Sequence, residues 1–209
     1  MTLSNSQPNR RVLMAKYSTS GIFCLEGDWE KDLRHSATMR PVFDLLGCAT
    51  HAPVRYIRRD IGTATEFEYY LNKWTQQRYR DYPILYLGFH GDPGVLYLGD
   101  RNNYIDLDWL EERLAGKCKG RVIHFGACGT MATHGTRLAR FLKRTKALAV
   151  CGYRTDVDWM LTAAFEIILM GGMQMVTFSK PGMKSLQRRV RQEAGGLVKK
   201  LEFRMVVAC

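Results

Sequence analysis

The chain has 209 residues, 46% of them hydrophobic, and a formal net charge of +11. This length is sufficient for one domain with a substantial core, and this hydrophobic fraction excludes a wholly disordered chain. The longest apolar stretch, 161–170, contains Glu166 and is too short to span a bilayer, and the polar residues 1–11 do not resemble a signal peptide. Six scattered cysteines without a CxxC pair argue against a zinc cluster and favour a reducing, cytoplasmic location.

Apolar runs and helical periodicities alternate along the chain. Residues 1–20 are predicted to form an N-terminal arm or hairpin strand, with 12–17 pairing with the next strand, ahead of one domain over 21–209. Strands are predicted at 22–25, 54–57, 84–89, 122–125, 147–150 and 201–208, with a hairpin-like run at 95–100. Helices are predicted at 31–46 with an interruption near Pro41, 65–78, 107–114, 136–144, 159–170 and 183–200 with a break at Gly195 and Gly196. This alternation predicts an α/β three-layer sandwich with a mainly parallel central sheet.

Two of the apolar runs end in a reactive residue beside a glycine. The first, 84–91, ends in His90 and Gly91, and the second, 121–130, contains Cys128 between Ala127 and Gly129. Strands that are apolar on both faces are buried in parallel sheets, where chemistry occurs just beyond the carboxyl ends of the strands. We therefore expect Cys128 and His90 to meet at one sheet edge as a nucleophile and its base.

Acyl transfer by such a pair also requires hydrogen-bond donors for the developing oxyanion. Gly91 is the predicted donor, together with the backbone amide of Cys128, because glycine allows a close approach of the substrate. Asp92 would orient His90, although the turn chemistry of Asp-Pro-Gly explains this residue equally well. Of the rival histidines, His124 is expected to be buried with a backbone partner, and His134 lies in a polar turn after the cysteine.

The two catalytic segments resemble those of the caspase-like cysteine peptidases, a group that includes caspases, clostripain-like enzymes, separase and the CHAT proteases. Residues 86–91 and 123–129 match the two strands of that group that end in His-Gly and Ala-Cys, and 149–158 is similar to the strand that follows. The resemblance covers about 20–180 and implies a caspase-like fold and cysteine endopeptidase activity without a metal or other cofactor. The chain lacks the Gln-Ala-Cys-Arg-Gly sequence of true caspases, so we expect a CHAT/separase-type branch and carry over no preference for aspartate.

The loop after the third strand holds the candidate specificity residues. In the related proteases this loop builds part of the first specificity pocket, and a carboxylate there would select arginine or lysine. Asp158 fits the acidic position slightly better than Asp156, although an aspartate here would serve equally well as a helix N-cap. Arg154 complicates this expectation, because it would either neutralise one of the aspartates or itself select an acidic residue.

The chain offers little room for maturation by cleavage. Only Thr145 and Lys146 separate the helix after the cysteine from the third strand, where caspases carry a longer, cleavable segment. If the protein is regulated, we therefore expect a protein partner or a ligand, rather than a cut, to activate it. The resemblance to peptidases implies a protein substrate. The cationic charge is compatible with nucleic acid, but no nucleic-acid motif accompanies it, its spread is typical of solvated helix faces, and no membrane association is predicted.

Two other functions stay open at this point. The fold could be kept as a non-enzymatic binding module, or the thiol could serve another acyl-transfer enzyme on an α/β sheet, such as an amidotransferase or esterase. The presence of both catalytic residues argues against the first. The second usually has a nucleophile elbow with a glycine two residues past the nucleophile, and Thr130 occupies that position here.

Overall fold

The protein is described here by a computed structural model, which covers residues 20–32, 34–35, 37–49, 53–99 and 102–209. The predicted hairpin strand at 12–17 lies outside the described residues. The strands are β1 (Ile22–Glu26), β2 (Tyr56–Asp60), β3 (Ile84–Gly88), β4 (His90–Asp92), β5 (Val95–Tyr97), β6 (Tyr104–Asp106), β7 (Val122–Gly126), β8 (Ala149–Tyr153) and β9 (Phe203–Val207). The helices are α1 (Arg40–Gly47), α2 (Ala64–Trp74), α3 (Leu107–Leu114), α4 (Gly135–Thr145), α5 (Trp159–Met173), α6 (Lys180–Glu193) and α7 (Gly195–Lys200).

The central sheet has six strands in the described part of the chain, in the order β2-β1-β3-β7-β8-β9. All neighbouring pairs are parallel except β8 and β9, which are antiparallel. Every residue of β1, β3, β7 and β8 is buried, as expected for strands that are covered on both faces. The mainly parallel sheet predicted from the sequence is thus confirmed.

Helices cover both faces of this sheet and complete the predicted three-layer sandwich. On one face, α2, α3 and α4 contribute Phe67, Leu110 and Phe141 to a continuous apolar core. On the other face, α1, α5 and α6 enclose a second core that includes Phe43 and Phe165. Among the described residues, no helix combines the length and the apolar character required to cross a bilayer.

Most of the predicted elements have shifted bounds in the structure, and three of them illustrate the differences. The helix predicted at 31–46 begins only at Arg40, because Pro41 occupies its first turn and the described residues before it are not helical. The strand predicted at 54–57 begins two residues later as β2. This strand lies at the edge of the sheet, and its residues are partly or fully exposed. The helix predicted at 65–78 ends at Trp74 and is followed by a separate 3₁₀ turn, Gln77–Tyr79.

A small second sheet lies between β3 and α3. It consists of β4, β5 and β6 in antiparallel order, so the first three residues of the hairpin-like run predicted at 95–100 form its middle strand, and position 100 lies outside the described residues. Its first strand begins at His90, two residues after the end of β3. This sheet therefore fixes the backbone of His90 and Gly91 at the carboxyl edge of the central sheet.

Candidate active site

Cys128 lies in a turn directly beyond the carboxyl end of β7. Its neighbour Ala127 is buried, whereas Cys128 itself is only half-buried. Gly129 follows with a φ of +63°, a conformation that favours glycine. The turn is tied to the end of β8, since the Gly129 N–H donates to the Thr155 carbonyl at 3.1 Å and the Met131 N–H donates to the Tyr153 carbonyl at 2.9 Å. The thiol is thus presented on a constrained backbone rather than on a free loop.

His90 is oriented by the segment that follows β1. Its Nε2 lies 2.8 Å from the backbone oxygen of Trp29, and the Trp29 ring meets the imidazole edge-on with 5.6 Å between ring centroids. A carbonyl oxygen can only accept, so Nε2 must carry the proton of this hydrogen bond. In the neutral imidazole, Nδ1 is then the unprotonated nitrogen that can take a proton from a thiol.

The position of Trp29 depends in turn on Glu26, a fully buried carboxylate at the end of β1. Glu26 accepts hydrogen bonds from Trp29 Nε1 at 2.8 Å, from Thr38 Oγ1 at 2.8 Å and from the Met39 N–H at 2.7 Å, and it is paired with Arg58. Sequence reasoning missed both Glu26 and Trp29. The available signal was an acidic residue that ends an otherwise apolar strand.

Cys128, His90 and Gly91 line one open cleft of about 970 Å³. Their meeting follows from the parallel pairing of β3 with β7, which aligns Gly88 with Gly126 at the same edge. The charged side chains of this cleft are mostly acidic. Among the described residues, its lining includes the carboxylates Asp28, Glu30, Asp92 and Asp156, and Lys31 as a cation.

A second, smaller pocket of about 270 Å³ opens beside the same two residues, Cys128 and His90. Its walls are mainly apolar, and Trp29 packs edge-on against Trp159 with 5.2 Å between ring centroids. The further apolar lining consists of Ala37, Met39, Tyr86 and Val157. A side chain with an apolar stem would be desolvated here next to the thiol.

The thiol of Cys128 is held in its protonated form. Burial raises its pKa first of all, and the negative charges of Asp156 and Asp92 raise it further. The N–H groups of Val157 and of Cys128 itself oppose this by stabilising the thiolate, but they do not outweigh it. A base is therefore needed to generate the nucleophile at neutral pH, and a cation placed against Asp156 would favour the thiolate.

Gly91 packs tightly against the cysteine turn. A Cβ atom at this position would lie 2.5 Å from Thr130 Oγ1 and 2.8 Å from the Cys128 carbonyl oxygen. Glycine is thus required for the close approach of β4 to this turn. The backbone of Gly91 and that of Cys128 are next to each other at the mouth of the cleft.

The structure separates the three specificity candidates. Asp156 lines the cleft with Cys128, whereas the Asp158 carboxylate accepts the Leu161 N–H at 2.9 Å as the N-cap of α5. Arg154 lies 3.9 Å from Glu202 in an exposed ion pair and does not line either pocket. Of the three, Asp156 is therefore the one that the fold brings to the nucleophile.

The rival histidines have other surroundings. His124 is completely buried, with Nε2 2.6 Å from Glu166 Oε1 and Nδ1 3.3 Å from Cys151 Sγ, so its expected burial is confirmed but its partners are side chains rather than backbone. Burial lowers the pKa of His124, but the pairing with Glu166 and the contact with Cys151 outweigh this effect and raise the pKa to about 10. His134 is exposed at the start of α4.

Within the described residues, no three His, Cys, Asp or Glu side chains are placed to hold a metal ion.

Comparison with solved structures identifies the same architecture in an animal caspase. The crystal structure of caspase-1 from Spodoptera frugiperda superposes with a TM-score of 0.50, at 15% sequence identity, over 92% of this chain and 82% of that chain. At this identity the likeness shows a caspase-like fold. No curated protein matches the sequence. A family model described as "Family of unknown function (DUF6642)" matches residues 19–207, so the chain belongs to that family.

Proposed function

We propose that the protein is a cysteine endopeptidase with Cys128 as nucleophile and His90 as general base. The observation that carries the proposal is the shared cleft of Cys128 and His90, in which the Trp29 carbonyl fixes the histidine tautomer with Nδ1 unprotonated. The caspase-like fold supports it, since the two residues follow adjacent parallel strands of that fold.

In the proposed reaction, Cys128 Sγ attacks the carbonyl carbon of the scissile peptide bond while its proton passes to His90 Nδ1. The negative oxygen of the tetrahedral intermediate accepts hydrogen bonds from the backbone amides of Gly91 and Cys128. His90 then returns the proton to the departing amine, which leaves a thioester on Cys128. Attack by water, again with His90 as base, releases the carboxylate product and restores the thiol.

The substrate side chain before the scissile bond is proposed to be basic. The acidic cleft supports this preference, because Asp28, Glu30 and Asp156 lie where the overall charge of the protein would otherwise repel a cation. Asp156 is the proposed contact, with Asp158 as second choice because it caps α5. A bound cation would also offset the influence of Asp156 on the thiol, so a basic substrate would assist in generating its own nucleophile.

Activation by a protein partner, and kinship with the CHAT/separase-type branch, stay predictions. The raised pKa of the Cys128 thiol supports low activity of the resting chain, since little thiolate is present at neutral pH. A partner that moved the loop carrying Asp156 and Val157 would change this balance directly.

Labelling with irreversible peptidyl electrophiles tests the function. One probe carries arginine in the position before the electrophile and a matched probe carries aspartate. We expect the arginine probe to modify Cys128 faster, with no modification of Cys128→Ala, as read by mass spectrometry of the intact chain. Failure of both probes in wild type, when small alkylating agents still react at Cys128, would favour a non-enzymatic binding module.

A further inference from the structure

In the described part of the chain, the last strand of the sheet, β9, has a free edge. The direction of its backbone N–H and C=O groups follows from its pairing with β8. Ala208 N–H donates to the Leu148 carbonyl at 2.9 Å, so the backbone N–H of Ala208 faces the β8 side of the sheet. Alternate residues of an antiparallel strand point their N–H and C=O groups in opposite directions. Arg204 and Val206 therefore bond to β8, as Ala208 does, and Phe203, Met205 and Val207 direct their backbone groups outward.

A single side chain confirms this direction. Gln187 of α6 donates from Nε2 to the outward carbonyl of Met205 at 2.8 Å, in the place where a neighbouring strand would donate an N–H. Within the described residues, no strand pairs with β9 on that side, and no protein group meets the outward N–H groups of Phe203, Met205 and Val207. The outward N–H groups thus leave this edge able to take one more strand, which would displace Gln187 from the Met205 carbonyl.

A row of cations accompanies this edge along its length. Lys180, Lys184 and Arg188 recur at every fourth position of α6, and all three are exposed. With Gln187 they form one wall of a groove of about 670 Å³, whose other wall is Met205, Val206 and Val207. No acidic residue is among the described residues that line this groove.

The helix and the strand run antiparallel beside each other. Lys180 donates to the Cys209 carbonyl near the beginning of α6, and Gln187 reaches Met205 about two turns later. Four residues of helix rise about 6 Å, and two residues of strand rise about 6.8 Å. Side chains on one face of an added strand would consequently recur at nearly the same interval as the cations of α6.

We propose that the β9 edge and the α6 cations together bind an extended segment of a partner protein that carries acidic residues at alternate positions. Its backbone extends the sheet through Phe203, Met205 and Val207, and its carboxylates face Lys180, Lys184 and Arg188. Charge complementarity selects this occupant over a second copy of the chain, because two paired β9 edges would bring two rows of cations to the same face. The proposal does not depend on peptidase activity.

Fluorescence anisotropy with a labelled heptapeptide that alternates valine and glutamate tests the proposal in the full-length protein. We expect binding that weakens about tenfold or more in Lys184→Glu/Arg188→Glu, which reverses two charges of the groove. The matched control is Lys117→Glu/Lys143→Glu, which makes the same change in net charge at exposed positions away from the groove, and it should bind as wild type. If both double variants bound the peptide equally weakly, binding would depend only on the net charge of the protein, and the proposal would be overturned.

The strand geometry is tested on the peptide, so that protein folding is unaffected. Only alternate N–H groups of an added strand face β9, so N-methylation of one alternate set should abolish binding, whereas N-methylation of the other set should leave it unchanged. Insensitivity to both sets would exclude strand addition. Concentration-dependent dimerisation of the free chain in sedimentation equilibrium, lost in Val207→Pro, would identify a second copy as the occupant and overturn the acidic partner.

Discussion

The carboxyl edge of the central sheet and its β9 edge carry opposite charges. Four carboxylates line the cleft around Cys128, whereas the groove beside β9 is lined by Lys180, Lys184 and Arg188. The net charge of +11 therefore does not describe the surface that faces the thiol. Beyond about 8–10 Å, exposed charges are screened at ordinary salt, so each site presents its local charge to a ligand. These local charges fit the basic substrate proposed for one edge and the acidic partner proposed for the other.

The comparison between the cleft and the β9 groove fails if the cleft does not catalyse peptide cleavage. We expect Cys128→Ala to abolish peptide cleavage completely and to change the free energy of unfolding by about 1 kcal/mol or less, because the half-buried thiol makes few packing contacts. Cleavage is measured with a fluorogenic arginine peptide, and folding by urea denaturation. Wild-type turnover in the folded variant would remove Cys128 from the mechanism.

Replacement of the base should have the next largest effect. We expect His90→Ala to lower kcat/KM by at least about a hundredfold, the lower end for loss of a general base. His134→Ala is the matched control, because His134 is exposed and makes no capping hydrogen bond at the start of α4. Equal loss in the control, with both variants folded, would show that the wrong histidine had been assigned.

Asp156→Asn sharpens the comparison because it changes two quantities in opposite directions. We expect kcat/KM for arginine peptides to fall about fivefold, the scale of about 1 kcal/mol for an accessible ion pair. Alkylation of Cys128 by iodoacetamide at fixed pH should become faster, since removal of the Asp156 charge lowers the pKa of the thiol.

Asp158→Asn is the control for this change, because asparagine caps a helix about as well as aspartate and should preserve both rates. Loss of the arginine preference in Asp158→Asn alone would assign the pocket to Asp158. A preference for acidic peptides that disappears in Arg154→Ala would instead assign it to Arg154.

The last prediction concerns stability rather than activity. Pairing with Glu166 raises the pKa of His124 to about 10, above the value near 6.5 of an unfolded histidine. This stabilisation is therefore fully present below pH 6.5 and is lost as the pH rises through about 10. Thermal melts from pH 6 to 10.5 should show a steeper decline in Tm for wild type than for His124→Gln, with His134→Gln declining as wild type. Parallel curves for all three would refute the pairing.

The sequence was sufficient to bring His90 and Cys128 to one edge of the sheet because its signals are local. Unbroken apolar runs before His90 and Cys128 predict buried parallel strands, and the pairing of β3 with β7 confirms that the two runs are neighbours. The α3 helix has the predicted bounds, 107–114, because Asp106 caps its beginning through the Trp109 N–H at 2.7 Å. Such features depend on a few consecutive residues.

The surroundings of the site could not be predicted in this way, because they depend on contacts between residues that are distant in sequence. The Trp29 carbonyl reaches His90 across 61 positions, and nothing in the segment after β1 indicates that contact. Burial of Glu166 in α5 is explained only by His124 and Tyr153, whose hydroxyl donates to it at 2.6 Å. For Asp158, the sequence favoured pocket and cap equally, and only the hydrogen bond to Leu161 reveals the cap.

The turn of Cys128 has a practical consequence for engineering. Its backbone is bonded to Tyr153 and Thr155, and the Val157 N–H from the same loop lowers the pKa of the thiol. A graft that replaced this loop to obtain a new specificity would thus also remove contacts that hold the proposed nucleophile in place. Directed evolution of substrate choice should therefore favour single side-chain changes at exposed positions such as Asp156 over changes in loop length.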